Sequence, residues 1–488
     1  MKRNQFTPLF CDLYHLTMAQ AMFEQGTHNK IETYEMFIRK TPFQGSYLIA
    51  AGLPEVLQWI NDWHFSKEDI EFLKTQEFNP QFLHMLETTP LSIDMDAFPE
   101  GEIVFPNEPI VRVTGPAWQA VLLETGILNI INAQSLFATK ASRIVEAASC
   151  DGKKRTILEM GLRRAQDTQG FTPTRASYIG GIDATSNVEA GKFYNIPVAG
   201  TMAHCFIMRY KNEVDAFKTY MKAFPNNASL LIDTYDTIQG AKNAVKASKE
   251  TGIPLKSVRL DSGDLAYLSK QVRKILDEGD CKDTKITVSN DLDEYTIQSL
   301  ILEQKAPIDI FGVGTMLATS YDQPALGGVY KLKQTQEGPV IKVSENKIKT
   351  TIPGATDVLR LININTGQFI GDIIHENKKT YLNKDSLNQN ITSIQINNET
   401  IRSFTKGTRA YRPIINVIKN GVVNNIEMNK PLNEIRKLTL QNLNKLDVSH
   451  KRLKFPHTYV AGLEENLFIT RNNLRNAALN TGGREYGN

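Results

Sequence analysis

From about Asp151 to about Lys349, short apolar runs typical of β-strands alternate with helical segments, and each run ends in polar residues or glycine. Strands that alternate with helices predict a parallel sheet. A series this long favours a closed or nearly closed α/β barrel, in which the functional site lies at the carboxyl ends of the strands. An open doubly wound sheet is the alternative, which the lack of a GxGxxG motif after the first strand disfavours. The runs are RTILEMG, ASYIGG, IPVAGT, SLLIDTYD, SVRLDSGD, KITVSND and IDIFGVGT.

The segments on either side of this series do not show its regular alternation of strands and helices. Before it, residues 10–23 and 117–148 have helical spacing, and β-like runs such as IETYEMFIRK, GSYLIAAG and EIVFPNEPIVRVTG lie between them. After it come the β-like runs DVLRLININ and QFIGDIIH and then two helical segments. Because 488 residues exceed what one hydrophobic core usually serves, we expect three domains, at residues 1–150, 151–350 and 351–488.

Composition and charge exclude several classes of function. The formal net charge is +3 and no basic stripe is present, so a nucleic-acid partner is not expected. The N-terminal sequence lacks a signal-peptide pattern, and no run of about 18 apolar residues predicts a membrane span. The four cysteines are far apart and form no CxxC pair, which disfavours disulfides or structural zinc and fits the reducing cytoplasm.

The segment GTMAHC, residues 200–205, places Thr201 and His204 together after the strand-like IPVA. A histidine at the carboxyl end of a barrel strand is typical of a functional site. The alternative is a capped helix start that carries a surface histidine.

The segment VRLDSGDL, residues 258–265, combines an arginine with two aspartates at another strand end. Arg259 suits a planar carboxylate, which a guanidinium group holds with two parallel hydrogen bonds. Asp261 and Asp264 suit ribose hydroxyls or a magnesium ion. Alternatively, Asp264 caps the following helix and Arg259 pairs with Asp261.

The segment FGVGTML, residues 311–317, comes directly after the β-like IDI. Gly312 and Gly314 give the backbone conformational freedom, and Thr315 begins the next segment. A glycine turn with exposed backbone N–H groups is suited to a phosphate, although an ordinary strand-to-helix turn has the same pattern.

Two further segments carry weaker signals. EMGLRRAQ, residues 159–166, contains adjacent arginines, of which Arg163 is a candidate for a polyphosphate, while a solvated surface is the alternative. SND, residues 289–291, ends another predicted strand and provides further polar groups or a helix cap.

Taken together, these segments resemble the nicotinate phosphoribosyltransferase family. They occur in the family's order and with near-family spacing over residues 5 to about 335. The resemblance implies an α/β fold, with an irregular parallel α/β barrel between an N-terminal α/β sandwich-like domain and a C-terminal α+β domain. The matching segments are DLYHLTMA, EMGLRRAQ, YIGGIDATSN, VAGTMAHC, RLDSGDL, SNDLDE and GVGT followed by QPALGGVYKL.

The resemblance also implies a reaction. Members of the family convert nicotinate and phosphoribosyl pyrophosphate to nicotinate mononucleotide and pyrophosphate, a step of NAD biosynthesis. The reaction is coupled to ATP hydrolysis through a phosphohistidine, requires Mg²⁺ and takes place in homodimers. By motif, His204 is the phosphohistidine, Tyr14, Thr201 and Arg259 hold nicotinate, and Thr315 binds phosphoribosyl pyrophosphate. No metal ligand is assigned.

The chemistry of the residues agrees with this assignment. Nicotinate is an aromatic carboxylate, for which Tyr14 provides a stacking surface and Arg259 a cation. Its ring nitrogen is already nucleophilic, so His204 serves energy coupling rather than proton transfer. Three alternatives stay open: a related enzyme that uses quinolinate or nicotinamide, a non-catalytic protein that binds pyridine nucleotides, and another phosphate-binding barrel enzyme.

Overall fold

The computed structural model describes residues 6–344, 349–378, 381–396 and 399–482. The chain divides into two compact units, one made of Met1–Leu136 with Ala325–Asn488 and the other of Phe137–Pro324. The helices are α1 (Leu13–Glu24), α2 (Leu53–Asn61), α3 (Lys67–Lys74), α4 (Pro80–Thr88), α5 (Ala117–Leu122), α6 (Glu124–Ala148), α7 (Phe171–Ile179), α8 (Val188–Tyr194), α9 (His204–Ile207), α10 (Glu213–Ala223), α11 (Thr237–Thr251), α12 (Leu265–Glu278), α13 (Glu294–Leu302), α14 (Thr315–Ala318), α15 (Asn425–Met428), α16 (Leu432–Lys445) and α17 (Glu465–Gly482).

The strands are short, as expected from the lengths of the apolar runs. They are β1 (Ile31–Ile38), β2 (Leu48–Ile49), β3 (Asp94–Ala97), β4 (Ile103–Val104), β5 (Val111–Pro116), β6 (Thr156–Glu159), β7 (Ala184–Thr185), β8 (Ser229–Leu231), β9 (Ser257–Leu260), β10 (Lys285–Ser289), β11 (Ile310–Val313), β12 (Gly328–Thr335), β13 (Gly338–Pro339), β14 (Thr356–Ile362), β15 (Phe369–Glu376), β16 (Ile391–Ile394), β17 (Ile401–Phe404), β18 (Arg409–Tyr411), β19 (Ile415–Lys419), β20 (Val422–Val423) and β21 (Ala461–Glu464).

The unit Phe137–Pro324 contains a parallel sheet of six strands in the order β7-β6-β11-β10-β9-β8. Helices α11, α12 and α13 connect the successive strands β8, β9, β10 and β11. Val258, Ile286 and Phe311, one from each of three central strands, are buried and share one face of the sheet by their register, so this face forms part of the core. The sheet curls into half of a barrel rather than closing, and β7 and β8 are its edges within the described residues. The predicted α/β fold class is confirmed.

Two of the seven predicted strands are wrong. The run ASYIGG lies in and just after helix α7, which carries Pro173 in its first turn and ends before Gly180. The strand that follows is Ala184–Thr185. In IPVAGT, only Val198 forms an isolated parallel bridge, to Thr185. Short apolar runs do not distinguish a strand from a buried turn of helix, which is the reason for the error at ASYIGG. IPVAGT is extended beside Thr185, but its backbone pairing does not continue beyond the single bridge.

The other compact unit contains two larger sheets among its described residues. One has seven strands in the order β13-β12-β1-β5-β3-β19-β20, all antiparallel. The other has the order β17-β16-β21-β15-β14-β18, with β15 and β21 parallel. Strand β19 pairs with β3, so segments from both ends of the chain share one sheet. The division into three domains stays a prediction.

Within the described residues, one helical stretch, Ala117–Ala148, is long and apolar enough to cross a membrane by length and composition alone. The structure buries 67% of its most apolar window. Such burial is typical of a helix in the core of a soluble protein.

Candidate functional site

Arg259 lies next to the carboxyl end of strand β9, and its guanidinium group is surrounded by oxygen acceptors. Its side chain is 17% exposed. Nε donates to Ser289 Oγ at 3.0 Å, Nη1 to Thr201 Oγ1 at 3.3 Å and Nη2 to Asp261 Oδ1 at 3.1 Å. The cation is therefore held by the ends of β9 and β10 and by the segment that contains Thr201.

Asp261 follows the same strand and pairs with two of these groups. Ser289 Oγ donates a short hydrogen bond to Asp261 Oδ1, the oxygen that also accepts from Arg259. Burial favours the neutral acid, but the hydrogen bond from Ser289 and the positive charge of Arg259 outweigh it. The pKa of Asp261 therefore lies below its usual range, and the carboxylate is ionised at neutral pH.

His204 is the first residue of the one-turn helix α9. Its Nδ1 lies 3.1 Å from Thr234 Oγ1, and its Nε2 lies 3.9 Å from Asp261 Oδ2. The side chain is 41% exposed. One ring nitrogen is thus engaged by a hydroxyl group, whereas the other lies beyond hydrogen-bond distance of the carboxylate.

Asp233 completes this cluster and was not singled out from the sequence. It follows strand β8, and its Oδ2 accepts from the backbone N–H of Asp261 at 2.8 Å and from Ser262 Oγ at 2.6 Å. Its Oδ1 is buried and has no hydrogen-bond partner among the described residues. A signal was present in the sequence, since Asp233 directly follows the last apolar strand residue of SLLIDTYD, as Asp261 does in SVRLDSGD.

The glycine segment after strand β11 passes close to its neighbours. A Cβ atom on Gly312 would lie 2.7 Å from Met160 Sδ and 3.3 Å from Ser289 Cβ, so a side chain there would displace both. Gly314 precedes helix α14, of which Thr315 is the first residue. The structure therefore places Gly312, Gly314 and Thr315 at the carboxyl edge of the sheet, where the sequence predicts them.

Glu159, the last residue of β6, is a second residue that the sequence reasoning missed. It is 1% exposed, and its carboxylate accepts from Thr174 Oγ1 at 3.1 Å, from Thr185 Oγ1 at 2.6 Å and from the N–H of Gly161 by a short hydrogen bond. A Cβ atom on Gly161 would lie 2.9 Å from the carbonyl oxygen of Gly314. Glu159 thus fixes the turn on which the glycine segment packs. In the sequence, Glu159 is the first residue of EMGLRRAQ, at the end of the apolar run that forms β6.

The remaining candidates have other surroundings. Asp264 Oδ1 accepts from the N–H of Tyr267 at 2.9 Å and caps helix α12, which is the alternative role that the sequence predicts for it. Arg163 and Arg164 are both exposed. Tyr14 belongs to the other compact unit, where it is 49% exposed on helix α1 and its ring centroid lies 3.9 Å from that of His15. Among the described residues, no group of three or more His, Cys, Asp or Glu side chains is arranged to hold a metal ion.

The arrangement defines the class as an α/β protein with an arginine, a histidine and a glycine turn at the carboxyl edge of a parallel sheet, which is where enzymes of this class have their sites. The family descriptions that match are the nicotinate phosphoribosyltransferase N-terminal domain at residues 9–132, the nicotinate phosphoribosyltransferase family at 156–392 and the nicotinate phosphoribosyltransferase C-terminal domain at 356–471.

Similar proteins extend over nearly the whole chain. The nicotinate phosphoribosyltransferase of Bacillus subtilis (strain 168) is 37% identical over 487 residues, which cover 95% of this chain and 94% of the relative. That of Caenorhabditis elegans is 35% identical, covering 94% and 92%. The crystal structure of human nicotinic acid phosphoribosyltransferase matches with a TM-score of 0.80 at 27% identity, covering 95% of this chain and 99% of that chain. The chain therefore belongs to the nicotinate phosphoribosyltransferase family of enzymes.

Proposed function

We propose that this enzyme transfers the phosphoribosyl group of phosphoribosyl pyrophosphate to the ring nitrogen of nicotinate and couples the transfer to ATP hydrolysis. The products are nicotinate mononucleotide, pyrophosphate, ADP and phosphate. The observation that carries the proposal is the largely buried guanidinium group of Arg259 at the carboxyl edge of the sheet, beside the hydroxyl group of Thr201. It supports recognition of a planar carboxylate.

The donors of Arg259 support this role in detail. A guanidinium group has five N–H donors, and the contacts to Ser289, Thr201 and Asp261 engage three of them. The remaining two are available to the carboxylate of nicotinate. Thr201 Oγ1 is suited to a second contact with the same carboxylate, and the exposed ring of Tyr14 to stacking on the pyridine.

For phosphoribosyl pyrophosphate we propose Gly312, Gly314 and Thr315, because backbone N–H groups in a glycine turn bind phosphate oxygens. The exposed side chain of Arg163 is suited to the same polyphosphate. Asp261 is suited to the ribose hydroxyls. The same role for Asp264 is less well supported, because its carboxylate already caps helix α12.

His204 is proposed as the phosphohistidine. Its side chain, which is 41% exposed, fits phosphoryl transfer from ATP. The ring nitrogen of nicotinate needs no general base, so His204 acts through the charge that phosphorylation adds, which reorganises neighbouring groups and strengthens substrate binding.

The carboxylates of Asp233 and Asp261 fit Mg²⁺. Asp233 Oδ1 is a buried oxygen that has no partner among the described residues, and it lies near the ionised Asp261. Mg²⁺ typically uses one or two protein carboxylates together with substrate phosphates, which agrees with the lack of a larger metal-ligand group in the described part of the chain. Asp233 and Asp261 would hold it. When bound, it neutralises phosphate charge.

We further propose that the enzyme is a cytoplasmic homodimer that binds neither nucleic acid nor membranes. The dimer follows from the family resemblance. The small net charge of +3 and the scattered cysteines fit the cytoplasm. Size-exclusion chromatography with light scattering tests the dimer directly, since a monomeric active enzyme contradicts it.

The decisive experiment measures pyrophosphate release from phosphoribosyl pyrophosphate with nicotinate, nicotinamide or quinolinate, each with and without ATP. We expect release with nicotinate and stimulation by ATP. Preference for another pyridine would refute the assignment of the substrate.

The coupling proposal is tested with His204→Ala. This variant should lose stimulation by ATP and keep slow, ATP-independent synthesis of nicotinate mononucleotide. The wild-type protein incubated with ATP and Mg²⁺ should carry an acid-labile, base-stable label on His204. Full ATP stimulation in the variant, or a label on serine or threonine, would contradict the coupling role.

A further inference from the structure

We propose that Glu159 is a positioning residue for phosphoribosyl pyrophosphate. It acts by holding the turn at Gly161 against the glycine segment, residues 312–315, and not by contact with the substrate. At 1% exposure the carboxyl group lies inside the protein, so its effect on a ligand passes through the backbone that it holds. The inference rests on the proposed function and adds to it a residue that the transfer chemistry does not use.

The carboxyl group of Glu159 joins three elements of the parallel-sheet unit. One oxygen accepts a short hydrogen bond from the N–H of Gly161, and the other accepts from Thr174 Oγ1 in helix α7 at 3.1 Å and from Thr185 Oγ1 in strand β7 at 2.6 Å. Burying a polar group costs free energy unless such bonds replace those made with water. A carboxylate accepts from all three donors at once, whereas the amide of glutamine presents an N–H₂ group on one side.

The turn at Gly161 packs directly on the glycine segment. A Cβ atom on Gly161 would overlap Ala318 Cβ and lie 2.9 Å from the carbonyl oxygen of Gly314, so backbone meets backbone at this point. The N–H of Met160 donates to the carbonyl oxygen of Val313 at 2.8 Å and joins the same two segments once more. A displacement of the turn therefore displaces the start of helix α14.

The same turn sets the backbone that carries the paired arginines. The carbonyl oxygen of Gly161 accepts from the N–H of Arg164 at 2.8 Å, and Arg163 lies between these two residues in the chain. Both groups proposed for the polyphosphate, the side chain of Arg163 and the glycine segment with Thr315, thus depend on one turn. The hydrogen bond from its N–H to Glu159 fixes that turn.

The groups proposed for nicotinate are held in a different way. Arg259 is bonded to Ser289 at the end of the neighbouring strand β10. Thr185, although it donates to Glu159, is also fixed through its backbone, since its N–H donates to Pro197 and its carbonyl oxygen accepts from Ala199, both at 3.0 Å. Loss of its side-chain bond leaves this pairing in place. We therefore expect a change at Glu159 to affect phosphoribosyl pyrophosphate more than nicotinate.

Steady-state kinetics of the full-length enzyme separate the two substrates. Glu159→Gln loses at least one of the three hydrogen bonds, so the KM for phosphoribosyl pyrophosphate should rise about tenfold and that for nicotinate less than about twofold. Thr174→Val keeps the shape and removes one donor, and it should raise the first constant about threefold. Thr174→Ser, which keeps the hydroxyl group, should behave as the wild-type protein does. Titration calorimetry with inorganic pyrophosphate and Mg²⁺ should show the same order of affinities without turnover.

A carboxylate at the opposite edge of the sheet provides the control. Asp309 comes just before strand β11, and its Oδ2 accepts from the N–H of Ile286 at 2.9 Å. Asp309→Asn should leave both constants unchanged, and a rise for phosphoribosyl pyrophosphate there would overturn the inference.

The other contrary outcomes are distinct. Wild-type constants in Glu159→Gln overturn the inference, and so does an equal rise for both substrates, which would indicate a general loss of packing. If Glu159→Gln does not fold, the comparison of Thr174→Val with Thr174→Ser decides in the same way. A wild-type enzyme that does not use phosphoribosyl pyrophosphate refutes the proposed function itself and the inference with it.

Discussion

Two arginines of this chain, Arg259 and Arg360, lie in strands, pair with carboxylates and yet have opposite environments. Arg360 in β14 is fully buried, and Asp372, Glu102 and the carbonyl oxygen of Ile103 accept its hydrogen bonds. Arg259 is partly exposed, and its contacts engage three of its five N–H donors. Arg360, with four of its five donors engaged inside the core, holds the fold together, whereas Arg259 at a strand end keeps donors for the ligand proposed above.

The surroundings of Arg360 extend this contrast. Its guanidinium carbon lies 4.8 Å from the ring centroid of Phe369 and 5.4 Å from that of Phe105. Tyr459 stacks on Phe105 at 3.6 Å and donates to Asp372 at 2.8 Å. We call Arg360, Asp372, Glu102, Glu108, Phe105, Phe369 and Tyr459 the Arg360 cluster. It accounts for the arginine inside the predicted strand DVLRLININ without any role in catalysis.

The largest effect is expected from removing the buried cation. Arg360→Leu leaves several buried carboxylates unpaired and should lower the free energy of unfolding by about 3–5 kcal/mol. Urea denaturation followed by circular dichroism measures it. Arg259→Leu is the matched comparison and should cost less, about 1–2 kcal/mol, because its partner Asp261 is 32% exposed and keeps the hydrogen bond from Ser289. Equal destabilisation by the two substitutions would remove the distinction between them.

The next effect concerns binding at Arg259. Arg259→Lys keeps the charge but loses the planar pair of donors, so the KM for nicotinate should rise about ten- to a hundredfold, equivalent to about 1.5–3 kcal/mol. The KM for phosphoribosyl pyrophosphate should change less. Arg273→Lys, on helix α12 where Arg273 pairs with Asp277, is the control and should leave both constants unchanged. An equal rise for both substrates would contradict the nicotinate role.

A smaller effect is expected from Tyr14. It is an exposed tyrosine of the proposed site, whereas Tyr459 is a buried tyrosine of the Arg360 cluster. Tyr14→Ala should weaken nicotinate binding by about 0.5–1.5 kcal/mol through loss of stacking, and Tyr14→Phe should retain it. Because Tyr14 is 49% exposed, the thermal midpoint should hardly change. Intact-mass analysis should still detect phosphorylation by ATP. If phosphorylation disappears in Tyr14→Ala, its role is not limited to the pyridine ring.

The same contrast shows what sequence can predict. Arg259, Asp261 and His204 stand in short motifs after apolar runs, so their gathering at one edge of the sheet follows from the rule for parallel strands. Asp233 follows a strand and Glu159 ends one, but a single carboxylate without a motif is equally typical of a helix cap. Their roles depend on partners about fifteen to thirty residues distant in sequence, such as Thr174 at |i−j| of 15 and Asp261 at 28, which no local pattern reveals.

The division of the fold was less predictable than its parts. Strands β1, β5, β14 and β15 lie within the β-like runs predicted from the sequence. The pairing of β3 with β19, residues more than three hundred positions apart, was not predictable, because β-pairing over long separations is decided by tertiary packing rather than by local propensity. Helix α7 was missed for the related reason that burial on all sides hides helical periodicity.

The smallest effect concerns pH and has opposite signs at the two arginines. The pKa of Asp261 in the folded protein lies below its usual range. Its ionised form therefore stabilises the fold at pH values above the pKa of the unfolded state, which is about 4. This contribution is lost as the pH falls through the pKa of the folded state. In the Arg360 cluster, burial raises the pKa of Glu102 above its usual range. Its contribution is therefore fully present below the usual value near 4.3 and decreases as the pH rises through the folded value.

The free energy of unfolding between pH 3 and pH 6 separates these two contributions. Asp261→Asn should remove part of the acid-side loss and flatten the pH profile by less than about 1 kcal/mol, because the side chain is 32% exposed and screened by solvent. Glu102→Gln should act in the opposite sense, since it removes a carboxyl group that resists ionisation, and should flatten the decline at higher pH. Urea titrations of the two variants beside the wild-type protein at each pH give both slopes. A steeper acid-side loss in Asp261→Asn than in the wild-type protein would mean that the Arg259 site holds its carboxylate at a cost in stability, as the Arg360 cluster does, and the contrast drawn between the two arginines would no longer hold.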